Sequence, residues 1–278
     1  MRVTDVLTES GPRLAVQHGD GWALIDTPRT VAELVRGGDQ ARESAEHAAV
    51  QGEPTAHATA GLCVPSPGKI ICVGLNYRRH ALETGATVPT TPVIFGKFNN
   101  ALIASGQTVP LPSTAAQYDY EAELGVVIGR RAVAVSESDA LDYVWGYCNC
   151  NDISARDLQR RTSQFMLGKT LDGFLPVGPV LVSRDEVPDP QNLAIQSWLN
   201  GELRQNSNTA DMVFSISEII SYVSRYIPLE PGDFIATGTP EGVILGRDPK
   251  VWMKPGDVSD VAVEGLGRLT SPLAAASW

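Results

Sequence analysis

QYDYEAELGVVIG, residues 117–129, has the alternating pattern of a β-strand that is acidic on one face. Side chains two residues apart on a strand project to the same side, so Asp119, Glu121 and Glu123 share a face while the residues between them are apolar. The strand continues into LGVVIG, which is apolar on both faces. That continuation predicts a central strand of a sheet, with its acidic residues at one end.

Two interpretations of the acidic face are open: a solvent-exposed sheet face, or a site that holds a cation. A solvated face normally mixes Thr, Lys and Ser with its acids, and no basic residue neighbours these three in sequence. Carboxylate oxygens suit Mg²⁺, Mn²⁺ or Ca²⁺. Asp152, in CNCNDISARDLQRR (148–161), is the obvious third carboxylate, but it is equally well placed to be the N-cap of the helix that follows it.

The composition favours a globular, β-rich chain and limits its partners. The 278 residues include 19 prolines and 26 glycines, which is typical of many short elements joined by turns. The formal net charge of −10, from 22 basic and 32 acidic residues, argues against nucleic acid or an anionic membrane as a partner. A small acidic substrate remains possible, since a local basic patch or a metal would offset the overall field.

The N-terminus and the cysteines both indicate a cytoplasmic protein. MRVTDVLTESGPRL, residues 1–14, lacks the apolar core of a signal peptide, and no stretch approaches the roughly 18 apolar residues that span a bilayer. The four cysteines are expected to be reduced thiols in the core, because CNCN has the wrong spacing for a redox or zinc motif. They are Cys63, Cys72, Cys148 and Cys150.

Two regions of different texture are predicted, a small N-terminal domain at 1–62 and a larger one at 63–278. The first contains a hairpin at 13–26 with the turn GDG, a helix from Thr30 and an Ala/Glu-rich helix around 40–50.

The second region is mainly strands separated by turns, with the turn PGD recurring before two of them, at 231–233 and 255–257. Helices are predicted in SESDALDYV (136–144) and FSISEIISYVSRY (214–226). The long stretch 242–257 is expected either to line a pocket or to lie on a dimer surface.

His80 is set apart from the other three histidines, which all lie in the N-terminal region. In GLNYRRHALETG, residues 74–85, His80 and Glu83 are three apart, which on a helical turn brings them to one face. There the carboxylate can orient the imidazole for proton transfer. The alternative is an exposed surface pair on a short helix before Gly85.

Several motifs together resemble the fumarylacetoacetate hydrolase family. They occur in a consistent order from about Lys69 to Leu269: YDYEAELGVVIG, NDISARDLQ, GKTLDGFLPVGP, NGELRQ, MVFSISEIISYVS and LEPGDFIATGTPEGV. The resemblance implies an α+β, β-rich fold, with a mixed β-roll catalytic domain after a small N-terminal α+β domain, and usually a homodimer.

The resemblance also assigns site residues by position. It implies one Mg²⁺ or Mn²⁺ per subunit held by Glu121, Glu123 and Asp152, and it leaves Asp119 as a structural acid beside them. It implies substrate contacts from Lys97, Arg156, Gln159 and Thr239. It implies catalytic roles for His80, Glu83 and Lys169, with the segment around His80 ordering over the bound substrate.

The function implied is metal-dependent hydrolysis of a C–C bond in a small 2,4-dioxo acid, an acylpyruvate, by water that His80 deprotonates with Glu83 behind it. Decarboxylation of an oxaloacetate-type substrate is one alternative, because the same electron sink serves it without water. Isomerisation or decarboxylation of products of aromatic ring cleavage is another. A metal-binding protein of the same fold without activity is a third, remote one.

Overall fold

The computed structural model describes residues 1–19, 21–55 and 61–277. The strands are β1 (Arg2–Thr8), β2 (Gly11–His18), β3 (Gly21–Ile25), β4 (Glu53–Thr55), β5 (Ile70–Gly74), β6 (Val93–Lys97), β7 (Leu102–Ala104), β8 (Val109–Leu111), β9 (Tyr118–Asp119), β10 (Ala122–Ile128), β11 (Val144–Asn151), β12 (Ser154–Ala155), β13 (Leu175–Ser183), β14 (Ala194–Leu199), β15 (Glu202–Asn208), β16 (Phe234–Ala236), β17 (Val258–Val263) and β18 (Leu269–Ala275). The α-helices are α1 (Val31–Arg36), α2 (Gly38–Ala49), α3 (Arg78–Glu83), α4 (Arg156–Gln159), α5 (Met166–Lys169) and α6 (Ile216–Ser224). This strand-rich α+β architecture confirms the predicted fold class.

The largest sheet runs through the whole molecule in the order β4-β3-β2-β1-β13-β11-β10-β16-β5-β6, with β7 pairing to β13. The predicted N-terminal hairpin is confirmed by the pairing of β2 with β3, although Asp20 of its turn lies outside the described residues, as does His57. Strand β1 pairs antiparallel with β13. The N-terminal strands therefore extend the sheet of the larger region, and the boundary between residues 62 and 63 stays a prediction.

A second, five-stranded sheet has the order β15-β14-β17-β18-β8. The main hydrophobic core lies between the two sheets, where Leu124 and Val126 of β10 belong to the same buried cluster as Val261 and Val263 of β17. Helix α6 adds Ile219 and its neighbours to this cluster. Strand β10 is buried along its whole length, which confirms that LGVVIG forms a central strand.

The acidic stretch is not one continuous strand, contrary to the prediction. It breaks at Tyr120 and Glu121, between β9 and β10. The break occurs because backbone amides there bond to side chains: the Glu121 N–H donates to Asn151 Oδ1 at 2.9 Å, and the Ala122 N–H donates to Gln205 Oε1 at 3.0 Å. Glu121 therefore lies between the two strands and belongs to neither.

All but one of the predicted helices are confirmed. Helix α6 is confirmed, with Ser215 and Glu218 forming a capping box at its start, and α1 begins after its N-cap Thr30. The helix predicted at 136–144 is wrong, since only a short 3-10 turn at Ala140–Tyr143 forms. The polar residues that suggested a helix start bond to one another instead, as in the 2.8 Å contact between Ser136 and Asp139.

All four cysteines are free and buried, which confirms the prediction of reduced core thiols. Both PGD turns directly precede strands, β16 and β17, as predicted. No helix in the described part of the chain is both long and apolar enough to cross a membrane.

Candidate active site

Three buried carboxylates meet where β10 begins and β11 ends. The two strands are antiparallel, with Ala122 opposite Asn151, so the residue before β10 and the residue after β11 are brought together. One carboxylate oxygen each from Glu121, Glu123 and Asp152 lies within 4.8 Å of the other two. None of the three residues is more than 5% exposed, so a solvated sheet face is wrong. Asp152 is not a helix N-cap either, because α4 begins only at Arg156.

Basic side chains contact two of these three acids directly. The Lys169 ammonium donates to Glu121 at 2.5 Å and to Asp152 at 2.7 Å. Arg156 lies 2.6 Å from Glu121, and the buried ammonium of Lys97 contacts Asp152. Glu123, in contrast, accepts a hydrogen bond from the Gly238 backbone N–H at 2.8 Å. The basic side chains around the cluster therefore contact Glu121 and Asp152, whereas Glu123 is bound by a backbone amide.

The pKa values of the two glutamates diverge accordingly. Burial alone would raise the pKa of Glu121, but the charges of Lys169 and Arg156 lower it to about 2. Burial raises the pKa of Glu123 well above its usual value, and the negative charges of Asp152 and Glu121 raise it further. A divalent cation among the three would relieve this repulsion, and three carboxylate oxygens are ligands that Mg²⁺ and Mn²⁺ prefer. The donor set therefore fits such an ion.

Asp119 holds neighbouring parts of the site together. One of its oxygens accepts from the Ile244 N–H at 2.8 Å, and the other accepts from the Leu245 N–H at 3.0 Å and from Arg156 Nε at 2.9 Å. Burial raises the pKa of Asp119, more than Arg156 lowers it. Asp119 thus connects the 242–257 stretch to the arginine that contacts Glu121.

His80 and Glu83 form a sheltered pair on α3. His80 Nδ1 lies 2.9 Å from Glu83 Oε1, and His80 is only 6% exposed. The alternative of an exposed surface pair is therefore wrong. Because Nδ1 is occupied by the carboxylate, Nε2 is the ring nitrogen available to exchange a proton.

A cavity of about 190 Å³ joins the acidic cluster to the histidine. Eight of the ten predicted site residues line it: His80, Glu121, Glu123, Asp152, Arg156, Gln159, Lys169 and Thr239. Each of the remaining two contacts one of these eight: Glu83 contacts His80, and Lys97 contacts Asp152. The predicted contact of Lys97 with substrate stays a prediction.

The cavity also has residues to which the sequence had assigned no role. Apolar walls come from Val73, Phe95, Phe165 and Leu245, and the rings of Phe95 and Phe165 meet edge to face at 5.7 Å. Leu245 places part of the 242–257 stretch in the cavity wall, which is one of its two predicted locations. No alternation in the sequence marks these residues, since they come from separate strands and loops.

Gln205 is a buried supporting residue that the sequence did not reveal. Its Nε2 donates to Thr239 Oγ1 at 2.8 Å and to the Pro240 carbonyl at 2.9 Å, while its Oε1 accepts from the Ala122 N–H. It therefore fixes Thr239 relative to the start of β10. In the sequence, Gln205 is one of several polar residues of β15, and such a polar strand is typical of a solvated sheet edge.

Residues 69–274 match the family model described as the C-terminal domain of fumarylacetoacetate (FAA) hydrolase. The chain belongs to this family, and the resemblance stated from its motifs is confirmed.

Relatives of this chain carry different activities in their names. A mitochondrial oxaloacetate tautomerase of Xenopus laevis is 38% identical over 274 residues, which cover 94% of this chain and 86% of the relative. The fumarylacetoacetate hydrolase of Exiguobacterium antarcticum superposes with a TM-score of 0.87 at 33% identity, covering 99% of both chains. The 5-carboxymethyl-2-hydroxymuconate delta-isomerase of Mycobacterium smegmatis superposes with a TM-score of 0.80 at 33% identity, covering 100% of both chains.

Proposed function

We propose that this chain is a divalent-metal-dependent hydrolase that cleaves the C–C bond of a small 2,4-dioxo acid. The observation that carries this proposal is the position of His80, which Glu83 orients and which lines the same cavity as the three clustered carboxylates. A base and a metal site that share one cavity can act on the same substrate.

The metal ion, Mg²⁺ or Mn²⁺, would be held by Glu121, Glu123 and Asp152. When bound, it would supply a positive charge that orients the carboxylate and 2-oxo oxygens of the substrate and stabilises negative charge on them. Lys169, already in contact with Glu121 and Asp152, adds a second positive charge at the same end of the cavity.

His80 supplies the proton transfers. Nε2 takes a proton from water, and the hydroxide attacks the C4 carbonyl of the substrate. The C3–C4 bond then breaks, its electrons pass to C3 as an enolate, and C4 leaves as a carboxylic acid. The proton held by His80 returns to C3 and gives pyruvate. Glu83 stabilises the imidazolium between these two steps.

The shape of the cavity supports a substrate with an acyl chain. Its apolar walls, formed by Val73, Phe95, Phe165 and Leu245, can cover the carbons beyond C4. Covering those carbons also excludes bulk water, so that the water activated by His80 is the one positioned to react.

Keto–enol conversion or decarboxylation of oxaloacetate is the second candidate, and the oxaloacetate tautomerase that is 38% identical over 94% of this chain favours it. Tautomerisation moves a proton between C3 and the 2-oxo oxygen, and decarboxylation releases CO₂, so neither needs water to attack a carbonyl. Isomerisation of a ring-cleavage product requires the same kind of proton transfer.

The test follows acetylpyruvate, fumarylpyruvate and oxaloacetate by ultraviolet absorbance, with Mn²⁺ or with chelator, and identifies products by NMR. The proposal expects metal-dependent release of pyruvate from an acylpyruvate, and His80→Ala should abolish it while sparing much of any oxaloacetate decarboxylation. Turnover of oxaloacetate alone would establish the second candidate. Consumption of none of the three would favour a binding protein without activity.

We also propose that the enzyme is a cytoplasmic homodimer with one metal ion per subunit and no nucleic acid or membrane partner. The net charge of −10 supports the absence of polyanionic partners. Sedimentation equilibrium and metal analysis of the protein isolated from its own cells would test the dimer and the identity of the ion.

A further inference from the structure

Arg160 is a further basic residue of the cavity. It follows α4 and lines the cavity, and its side chain is exposed. Among the described residues, none of the ion pairs includes Arg160. Its guanidinium is therefore available to an anion that enters the cavity.

The other basic residues that line the cavity are already engaged. Arg156 contacts Asp119 and Glu121, and its Nη1 donates to Gln159 Oε1 at 3.0 Å. Lys169 contacts Glu121 and Asp152. These two residues offset the negative charge of the acidic cluster, so neither is free to neutralise a second negative group on the substrate.

The position of Arg160 follows from the helical turn that carries Arg156. The Arg160 N–H donates to the Arg156 carbonyl at 3.1 Å, so the two arginines are one turn apart and lie on the same side. Arg156 is 2% exposed and reaches the acids, whereas Arg160 is exposed. Helix α4 and the residue that follows it thus present an inner arginine to the metal end of the cavity and an outer one to its solvent side.

We propose that Arg160 determines specificity by binding a second carboxylate at the end of the substrate remote from the metal site. This inference rests on the proposed function and narrows its substrate to dicarboxylates, such as an acylpyruvate whose acyl group ends in a carboxylate. Guanidinium groups bind carboxylates in a planar, two-point geometry. In a protein of net charge −10, a doubly negative substrate needs such a local contact.

Arg161 provides a matched control. It is adjacent to Arg160, equally basic and exposed, but it is not among the residues that line the cavity. Arg160→Met and Arg161→Met therefore make the same chemical change on either side of one peptide bond. Met keeps an unbranched apolar stem and removes the guanidinium group with its charge and its donors.

The experiment measures binding by calorimetry to the Mn²⁺-loaded protein, which makes it independent of turnover. The probes are two pairs of 2-oxo acids of equal chain length: 2-oxoglutarate with 2-oxopentanoate, and 2-oxoadipate with 2-oxohexanoate. We expect the wild type to bind the dicarboxylate of at least one pair about tenfold more tightly or better, Arg160→Met to lose that preference, and Arg161→Met to keep it.

The inference is overturned if the wild type shows no preference in either pair, or if Arg160→Met retains the preference. The proposed function is judged separately, by whether pyruvate is released from an acylpyruvate. A wild type that releases pyruvate but binds both members of each pair equally would keep the hydrolase and remove the role of Arg160. A wild type that prefers dicarboxylates without releasing pyruvate would do the reverse.

Discussion

His80 and Glu83 are joined by a 2.9 Å contact between Nδ1 and Oε1, and the other oxygen of the same glutamate accepts from the Gly242 N–H at 2.9 Å. A side chain at Gly246 would fall 2.7 Å from the Glu83 carboxyl, so that glycine makes room for the pair. Glu83 thus fixes the imidazole on α3 relative to the loop that follows Thr239. The orientation of the base is determined by contacts from two separate parts of the chain.

Glu83→Gln should impair catalysis without displacing the histidine. Glutamine can still accept the hydrogen bond from His80 through its one carbonyl oxygen, but its NH2 group cannot accept from the Gly242 N–H, and it lacks the negative charge that stabilises an imidazolium. We expect kcat to fall by about 10² to 10³, with Mn²⁺ affinity unchanged because Glu83 is not among the clustered acids. Leu82→Ala, at a 70% exposed position on the same helix, is the control and should retain activity. An unchanged kcat in Glu83→Gln would refute the role of the pair.

Mn²⁺ should stabilise the wild type against unfolding, and Asp152→Asn should remove that effect. A ligand at 100 times its Kd adds about 2.7 kcal/mol to the free energy of unfolding, which thermal denaturation with and without Mn²⁺ would detect. Asp172→Asn is the control. The Asp172 carboxylate accepts from Asn100 at 2.6 Å and is not one of the three clustered acids, so this variant should keep the full effect. Equal stabilisation of Asp152→Asn and the wild type would exclude Asp152 as a ligand.

Gly168→Ala should destabilise the site because α5 lies against α4 there without room for a methyl group. An added Cβ would lie 2.3 Å from the Gln159 backbone N and 2.6 Å from the Ala155 carbonyl oxygen. We expect a loss of about 1–3 kcal/mol in the free energy of unfolding, together with lower activity because Lys169 follows directly. Urea denaturation would measure the loss.

Gly96→Ala is the control for this substitution. Its Cβ would meet its nearest atom, the Ile70 carbonyl oxygen, at 3.4 Å, so the change in stability should stay within about 1 kcal/mol. Equal stability of Gly168→Ala and the wild type would show that the two helices are not tightly packed.

Asp5 should make the protein less stable as the pH rises from about 4 to 6. Burial, with a smaller contribution from Glu33, raises the pKa of Asp5 from 3.8 to about 6 even though it accepts from the Val31 N–H. The folded state therefore binds the proton more tightly than the unfolded state, and stability present below the unfolded pKa is lost as the pH passes through the folded pKa.

Asp5→Asn should remove this pH dependence. It should raise the free energy of unfolding at pH 8 by about 1 kcal/mol, after allowance for partial exposure, and change it little at pH 3.5. Urea denaturation at the two pH values is the measurement. A gain of equal size at both would show that the Asp5 charge is not responsible.

The sequence predicted those features that depend on local pattern. The periodicity and capping residues of 214–226 indicated α6 correctly, and the alternation around Glu123 indicated a central strand with acids at its end. The break at Glu121 was missed because it depends on Asn151 and Gln205, the second of which is far away in the sequence. Contacts of that kind have no signature in a single strand.

The candidate site was anticipated as a set of residues, but its contacts were not. Lys97 contacts Asp152 and, at 3.2 Å, the Ile153 carbonyl, and neither contact followed from its predicted role toward substrate. Arg160 was assigned no role from the sequence, and its availability emerged once the partners of the neighbouring basic residues were known. Spacing along a chain shows which side chains share a face, while the pairing of charges depends on the whole fold.

The most direct test of the proposed hydrolase compares the wild type and His80→Asn in the rate at which Mn²⁺-loaded protein releases pyruvate from fumarylpyruvate. The hydrolase mechanism predicts metal-dependent release by the wild type and a kcat at least about 100-fold lower in His80→Asn, with the Mn²⁺-induced stabilisation intact. Release at the wild-type rate by His80→Asn, or by the wild type in the presence of excess chelator, would contradict it.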